Sequence, residues 1–128
     1  MDNLKDLIEK SFRPPTPEGI PLSIPQYGTE EILEVLDSLL TTNVTMGEKV
    51  RKFESLFSEY IGASHGIMVN SGSSADLIAV SSLTNPSLEN RIKPGDEILT
   101  PAVTWSTTVY SILNTGAIPV LVDVTEDF

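Results

Sequence analysis

Three short apolar runs, Gly66-Ile67-Met68-Val69, Glu97-Ile98-Leu99-Thr100 and residues 118–124, alternate with two helix-like runs, residues 75–83 and 106–114. No pattern in the chain constrains its fold more. Strands separated by a helix-length crossover pair in parallel, and a parallel sheet must be covered by helices. The expected architecture is therefore α/β, with a parallel sheet of three strands (residues 65–70, 97–100 and 118–124) and helices on both faces. Three such strands leave both sheet edges open, which reads as the beginning of a larger domain.

Upstream of residue 65 the chain reads as three helices and a Pro-rich arm. Leu4, Leu7 and Ile8 mark a short helix over residues 2–11, which Arg13-Pro14-Pro15-Thr16-Pro17 stops. Pro21 and Pro25 then keep an arm extended to about residue 26, suited to lying across a surface supplied by something else. A second helix is expected from Thr29 as N-cap, with Glu30 and Glu31 in its first turn and Ile32, Leu33, Leu36, Leu39 and Leu40 as its stripe. A third carries Val50, Phe53, Leu56, Phe57 and Tyr60 on one face, read as core, and stops at Gly62. The organisation this suggests is a helix and Pro-rich arm over residues 1–28, followed by the first part of a large domain over residues 29–128.

Two points in the α/β half can carry chemistry. Asn70-Ser71-Gly72-Ser73-Ser74-Ala75 joins an apolar run to a helix. At such a turn the first helical N–H groups lack intrahelical partners and carry the positive end of the helix dipole, so they suit a phosphate. The hydroxyls of Ser73 and Ser74 add donors, although the same residues also make an ordinary strand-to-helix turn. Trp105 follows Pro101-Ala102-Val103-Thr104 beyond the next strand and either packs in the core or lies against a ligand ring. Both points follow a strand's carboxyl end, the edge where parallel sheets bind ligands. A phosphate grip beside a stacking plate points to a phosphorylated aromatic cofactor.

Other chemistries fit poorly. No Lys follows Gly72 at Walker A spacing, there is no G-x-G-x-x-G, and Gly72-Ser73-Ser74-Ala75-Asp76 lacks the second glycine of a hydrolase elbow. The only histidine, His65, lies upstream and reads as a strand-end surface residue, and Asp123 reads as structural. With no cysteine and one histidine, no metal site is expected. Eighteen acidic against eight basic residues give a net charge of −10, which argues against a nucleic acid or an anionic membrane surface as partner. The polar, acidic start is unlike a signal peptide, and no apolar run approaches the roughly 20 residues a membrane span needs. A cytoplasmic protein is the expectation.

Thr45-Met46-Gly47-Glu48, Val69-Asn70-Ser71-Gly72-Ser73-Ser74-Ala75, Pro94-Gly95-Asp96-Glu97, Pro101-Ala102-Val103-Thr104-Trp105-Ser106-Thr107-Thr108 and Gly116-Ala117-Ile118-Pro119-Val120 occur in order over about residues 20–128. In combination they closely resemble the DegT/StrS family of pyridoxal-phosphate-dependent sugar aminotransferases and related nucleotide-sugar 3-dehydratases. The resemblance implies the N-terminal part of the aminotransferase (fold type I) large domain, three-layered α-β-α with an incomplete parallel sheet. It also implies pyridoxal 5'-phosphate as cofactor, a nucleotide-linked keto sugar as substrate and a homodimer for the complete enzyme. Gly72, Ser73 and Ser74 would hold the cofactor phosphate and Trp105 would stack on its ring. The family's imine-forming Lys, a His in the dehydratases, would lie beyond residue 128, so no catalytic residue is assigned within the chain. The five lysines (5, 10, 49, 52 and 93) read as solvated surface. Asp76 departs from the neutral residue of many relatives, and its carboxylate in the first turn is expected to weaken the phosphate grip somewhat unless the side chain points away.

Overall fold

The computed structural model describes residues 2–14 and 16–126, and Pro15 of the expected arm lies outside the described residues. The elements run α1 (Asp2–Ser11), α2 (Thr29–Leu40), α3 (Glu48–Ile61), α4 (Gly72–Ser82), β1 (Glu97–Pro101), α5 (Ser106–Asn114) and β2 (Ile118–Val122). They fall into two compact units, residues 1–66 and 67–128.

In the first unit α1 packs against α2. Phe12 and Tyr27 meet at a ring-centroid distance of 5.6 Å, so the two ends of the Pro-rich arm touch each other. Gly28, one residue before the expected Thr29, is the N-cap of α2. Glycine has no side chain to cap with, and the helix is closed from inside: the Gly28 N–H donates to Glu31 Oε2 at 2.7 Å. That bond holds the Glu31 carboxyl below its ordinary value. α3 ends as expected at Gly62, whose φ of +72° favours glycine. Phe53 and Phe57 stack at 5.6 Å, yet they, Leu56 and Tyr60 are exposed. The core role expected for this stripe is not realised within the first unit, where neither α1 nor α2 packs over it.

Lys49 is exposed, as expected, and is also paired. Its Nζ lies 2.6 Å from Glu34 Oε2 and 2.8 Å from Asp37 Oδ2, bridging α2 and α3 across the turn at residues 41–47. Asp37, then Glu34, raise its pKa. Lys5, Lys10, Lys52 and Lys93 are exposed.

The second unit is a small α/β layer. β1 and β2 pair in parallel, with Glu97 opposite Ile118 and Pro101 opposite Val122, and α5 crosses between them. α5 packs on both strands and α4 packs on α5. Gly95 N–H to Gly116 O, Ile118 N–H to Asp96 O and Ala102 N–H to Val122 O, all at 2.8 Å, extend the pairing beyond both strand ends. Gly116, at φ +77°, turns the chain from α5 into β2. Ile112, Ala117, Thr100 and Ser111 are buried where α5 meets the strands.

One expectation fails here. The sheet has two strands, not three: residues 65–70 are not part of it. A parallel strand exists only through the ladder it makes with a neighbour, and the apolar run at residues 66–69 does not join the β1–β2 ladder. Within this unit α5 lies on the sheet, and Leu99, 74% exposed, shares by register a face with Ile118 and Val122, which are exposed as well.

Candidate functional site

α4 begins at Gly72, three residues before the expected Ala75, because Ser71 caps it. Ser71 has extended backbone (φ −164°, ψ 160°), and its Oγ accepts from Ser74 N–H at 3.2 Å. Ser71 O accepts from Ala75 N–H at 3.0 Å, the first i→i−4 bond of the helix. Gly72, Ser73 and Ser74 are therefore the first three helical residues. Their donors divide: the cap takes Ser74 N–H, whereas Gly72 and Ser73 N–H have no partner among the described residues. The Ser74 hydroxyl lies 3.2 Å from Ser71 Oγ. That of Ser73 has no protein partner among the described residues.

The donors face open space. A Cβ built on Gly72 meets nothing within 4 Å, and Ser71, Gly72 and Ser73 are exposed. Two unpaired N–H groups, a free hydroxyl and the positive end of an 11-residue helix make a donor set that fits a phosphate.

Trp105 is the N-cap of α5, with φ −68° and ψ 137°. An indole cannot accept a hydrogen bond, so the first turn of α5 lacks side-chain capping, a deficit of about 1 kcal/mol relative to Ser, Thr, Asp or Asn. The ring is 69% exposed and has no aromatic neighbour among the described residues. The described residues leave the indole uncovered.

α4 and α5 pack together, and their N-terminal halves are linked by a long contact, Thr107 Oγ1 to Asp76 Oδ2 at 3.5 Å. The Asp76 carboxylate is thus directed to α5, a link between positions 31 residues apart that no local sequence signal announces. The cap role of Ser71 also went unread, although a hydroxyl three residues before Ser74 has capping spacing. His65 is exposed, beside the hollow at Glu54, Ser58 and Gly66 in the first unit, and belongs to no strand. Asp123 Oδ1 accepts from Val124 N–H at 2.9 Å, a local turn contact in keeping with a structural role. Among the described residues no cluster of three His, Cys, Asp or Glu could hold a metal, and no helix is long and apolar enough to cross a membrane.

The DegT/DnrJ/EryC1/StrS aminotransferase family pattern matches residues 25–128. The chain is 42% identical over 96 residues to dTDP-4-dehydro-2,6-dideoxy-D-glucose 3-dehydratase of Saccharopolyspora spinosa, covering 74% of this chain and 21% of that protein. It is 40% identical over 106 residues to the lipopolysaccharide biosynthesis protein RfbH of Salmonella typhimurium, covering 82% of this chain and 24% of that protein. Its fold matches the Escherichia coli GDP-4-keto-6-deoxy-D-mannose-3-dehydratase with bound hydrated pyridoxal phosphate at a TM-score of 0.75 and 34% identity, over 84% of this chain and 27% of that one. The chain thus spans about a quarter of the length of these relatives. Its fold class is the one expected, α/β, the N-terminal part of the fold type I large domain with a small parallel sheet. The chain belongs to the DegT/DnrJ/EryC1/StrS aminotransferase family.

Proposed function

We propose that this chain supplies the cofactor-phosphate and ring-binding part of a pyridoxal 5'-phosphate-dependent enzyme acting on nucleotide-linked keto sugars. Gly72, Ser73 and Ser74 hold the phosphate, and Trp105 lies on the pyridine ring. Residues 29–128 form the first part of the large domain, and residues 1–28 an N-terminal helix and arm. The complete enzyme is a cytoplasmic homodimer serving amino- or deoxy-sugar and polysaccharide biosynthesis, without nucleic-acid or membrane partners.

The observation that carries this reading is the pair of unpartnered N–H groups at Gly72 and Ser73 opening α4 onto free space. A phosphate there receives both N–H groups and the Ser73 hydroxyl, and charge-assisted bonds of this kind are the strong ones. Ser74 contributes through its hydroxyl, its N–H being held by the cap. Trp105 supports the ring assignment: α5 forgoes a capping side chain to carry an exposed indole at that position. The indole would shield one ring face from water and fix its plane.

When bound, the pyridine ring supplies an electron sink that stabilises negative charge on the substrate carbon being deprotonated. Binding and orienting that ring are what this chain's residues do. Amino transfer is the reaction in the family's name. A second reading, removal of the sugar 3-hydroxyl, is favoured by the 3-dehydratase names of the relatives from Saccharopolyspora spinosa and Escherichia coli.

The test uses the only tryptophan as reporter. Titration with pyridoxal 5'-phosphate is expected to quench Trp105 emission. Inorganic phosphate should reverse the quenching, and pyridoxal without its phosphate should act only at much higher concentration. Unchanged emission at saturating cofactor refutes the assignment. The 128-residue chain alone is expected to show no amino transfer and to release the cofactor on dialysis. A borohydride-trapped adduct on one of its five lysines would contradict this.

A further inference from the structure

We propose that Asp76 is a positioning residue: through Thr107 it ties the phosphate turn at the start of α4 to the indole at the start of α5. The inference deepens the function proposed above and rests on it for the ligand, though not for the tether itself. The two halves of the site belong to different helices, one beginning at Gly72 and the other capped by Trp105. Something must set their separation if one small cofactor is to reach both. Asp76 follows Gly72 by four residues, one turn further along α4 on the same face. Thr107 follows Trp105 by two residues. The Thr107 hydroxyl donates across the gap to Asp76 Oδ2 at 3.5 Å, in a partly buried setting.

The surroundings favour a fixed geometry. Ser111, one turn after Thr107 and 3% exposed, donates its hydroxyl to Thr107 O at 2.8 Å. The face of α5 carrying Thr107 and Ser111 is therefore made of small side chains whose polar atoms are occupied. α4 packs on α5, and the Asp76–Thr107 contact is a polar link between the N-terminal halves of the two helices. Directing the carboxylate to Thr107 also answers the charge conflict expected from sequence. Asp76 spends an acceptor oxygen on α5 instead of presenting it, unengaged, toward the phosphate.

Charge and tether are separable by substitution. Asp76→Asn and Asp76→Ala both remove the charge, but only Asn keeps an acceptor for the Thr107 hydroxyl. Thr107→Ser keeps the donor, and Thr107→Val removes it at constant shape. The measurements are the pyridoxal 5'-phosphate dissociation constant from Trp105 quenching and, without ligand, the indole Nε1–H resonance. Asp76→Asn and Thr107→Ser should bind within about twofold of the unmodified chain or, for Asn, tighter. Asp76→Ala and Thr107→Val should bind about twofold to tenfold more weakly than these partners, the range one hydrogen bond spans. Their losses should not add in the double variant.

In the ligand-free chain, Asp76→Ala and Thr107→Val should displace the indole resonance, and the conservative pair should leave it in place. Equal binding by the Asn and Ala variants, or an indole resonance unmoved by Thr107→Val, overturns the tether. If the unmodified chain binds no cofactor while the resonance moves as expected, the tether stands and the cofactor reading falls. Circular dichroism of Asp76→Ala and Thr107→Val guards against reading a folding defect as a lost contact.

Discussion

Ser71 and Ser73 differ by two positions and do different work. Ser71 turns its oxygen inward to the Ser74 N–H, satisfying a helix end. Ser73 has no protein partner among the described residues for either its hydroxyl or its N–H. Under the proposed function, the pair separates stability from binding. Ser71→Ala is expected to lower stability by about 1 kcal/mol, the typical worth of a capping side chain, seen as a reduced thermal midpoint. Ser73→Ala should leave that midpoint in place and weaken pyridoxal 5'-phosphate binding by about tenfold, the cost of one hydrogen bond to a charged group. A Ser73→Ala chain that binds as the unmodified one does would remove Ser73 from the phosphate site. Trp105 obeys the same logic in reverse: it is a poor cap, and its exposure leaves the ring free for a ligand.

Single contacts decide whether elements keep their places, and two can be tested within the first unit. A Cβ on Gly66 would lie 2.7 Å from Ser58 Oγ and 3.0 Å from Glu54 O. The hydroxyl can rotate away, but the backbone oxygen of α3 cannot. Gly66→Ala should cost about 1–3 kcal/mol by chemical denaturation, as overpacking does, and adding Ser58→Ala should recover only part of it. A gain in stability would show that the chain end moves freely off α3. Glu31 sets the pH dependence of α2. Its carboxyl is held below the ordinary 4.5, chiefly by the Gly28 N–H. A lowered folded-state pKa means the contribution is complete above that ordinary value and lost as pH falls through the lowered one. Protection of the Gly28 amide from hydrogen exchange, relative to the intrinsic rate at each pH, should fall over that acid range, and Glu31→Gln, which keeps an acceptor without a titrating group, should flatten the response. At this scale the helical period and glycine stops made α2, α3, α5, β1 and β2 legible in sequence, because helices and their ends are local. The run at residues 65–70 misled, since an apolar extended stretch becomes a strand only through a neighbour it does not encode. The candidate site was legible for the same local reason: Gly72, Ser73, Ser74 and Trp105 all sit at helix starts. The link from Asp76 to Thr107, 31 residues away, exists only once α4 and α5 pack.

Across the whole molecule, apolar burial is thin. Among the described residues, Ile112 and Ala117 are the buried apolar ones, and Ser58, Thr100 and Ser111 the buried polar ones. In the second unit Leu99, Ile118, Leu121 and Val122 are exposed on a sheet of two parallel strands. In the first, Leu56, Phe53, Phe57 and Tyr60 are exposed along α3. Parallel sheets are ordinarily covered on both faces, and uncovered apolar surface of this kind marks an interface or promotes association. A net charge of −10 opposes association by long-range repulsion, but salt screens that repulsion while leaving apolar attraction intact. The 128-residue chain should therefore bind a dye that reports exposed apolar surface. Its sedimentation should depend on concentration, and more strongly as salt is raised. Leu99→Lys, which puts a charge on the open sheet face without touching α5 packing, should reduce both signals and retain the helical circular dichroism. A dye-silent monomer that melts in one sharp transition at every salt concentration would mean that these faces need no cover. Association that weakens with salt would assign the contacts to charge instead.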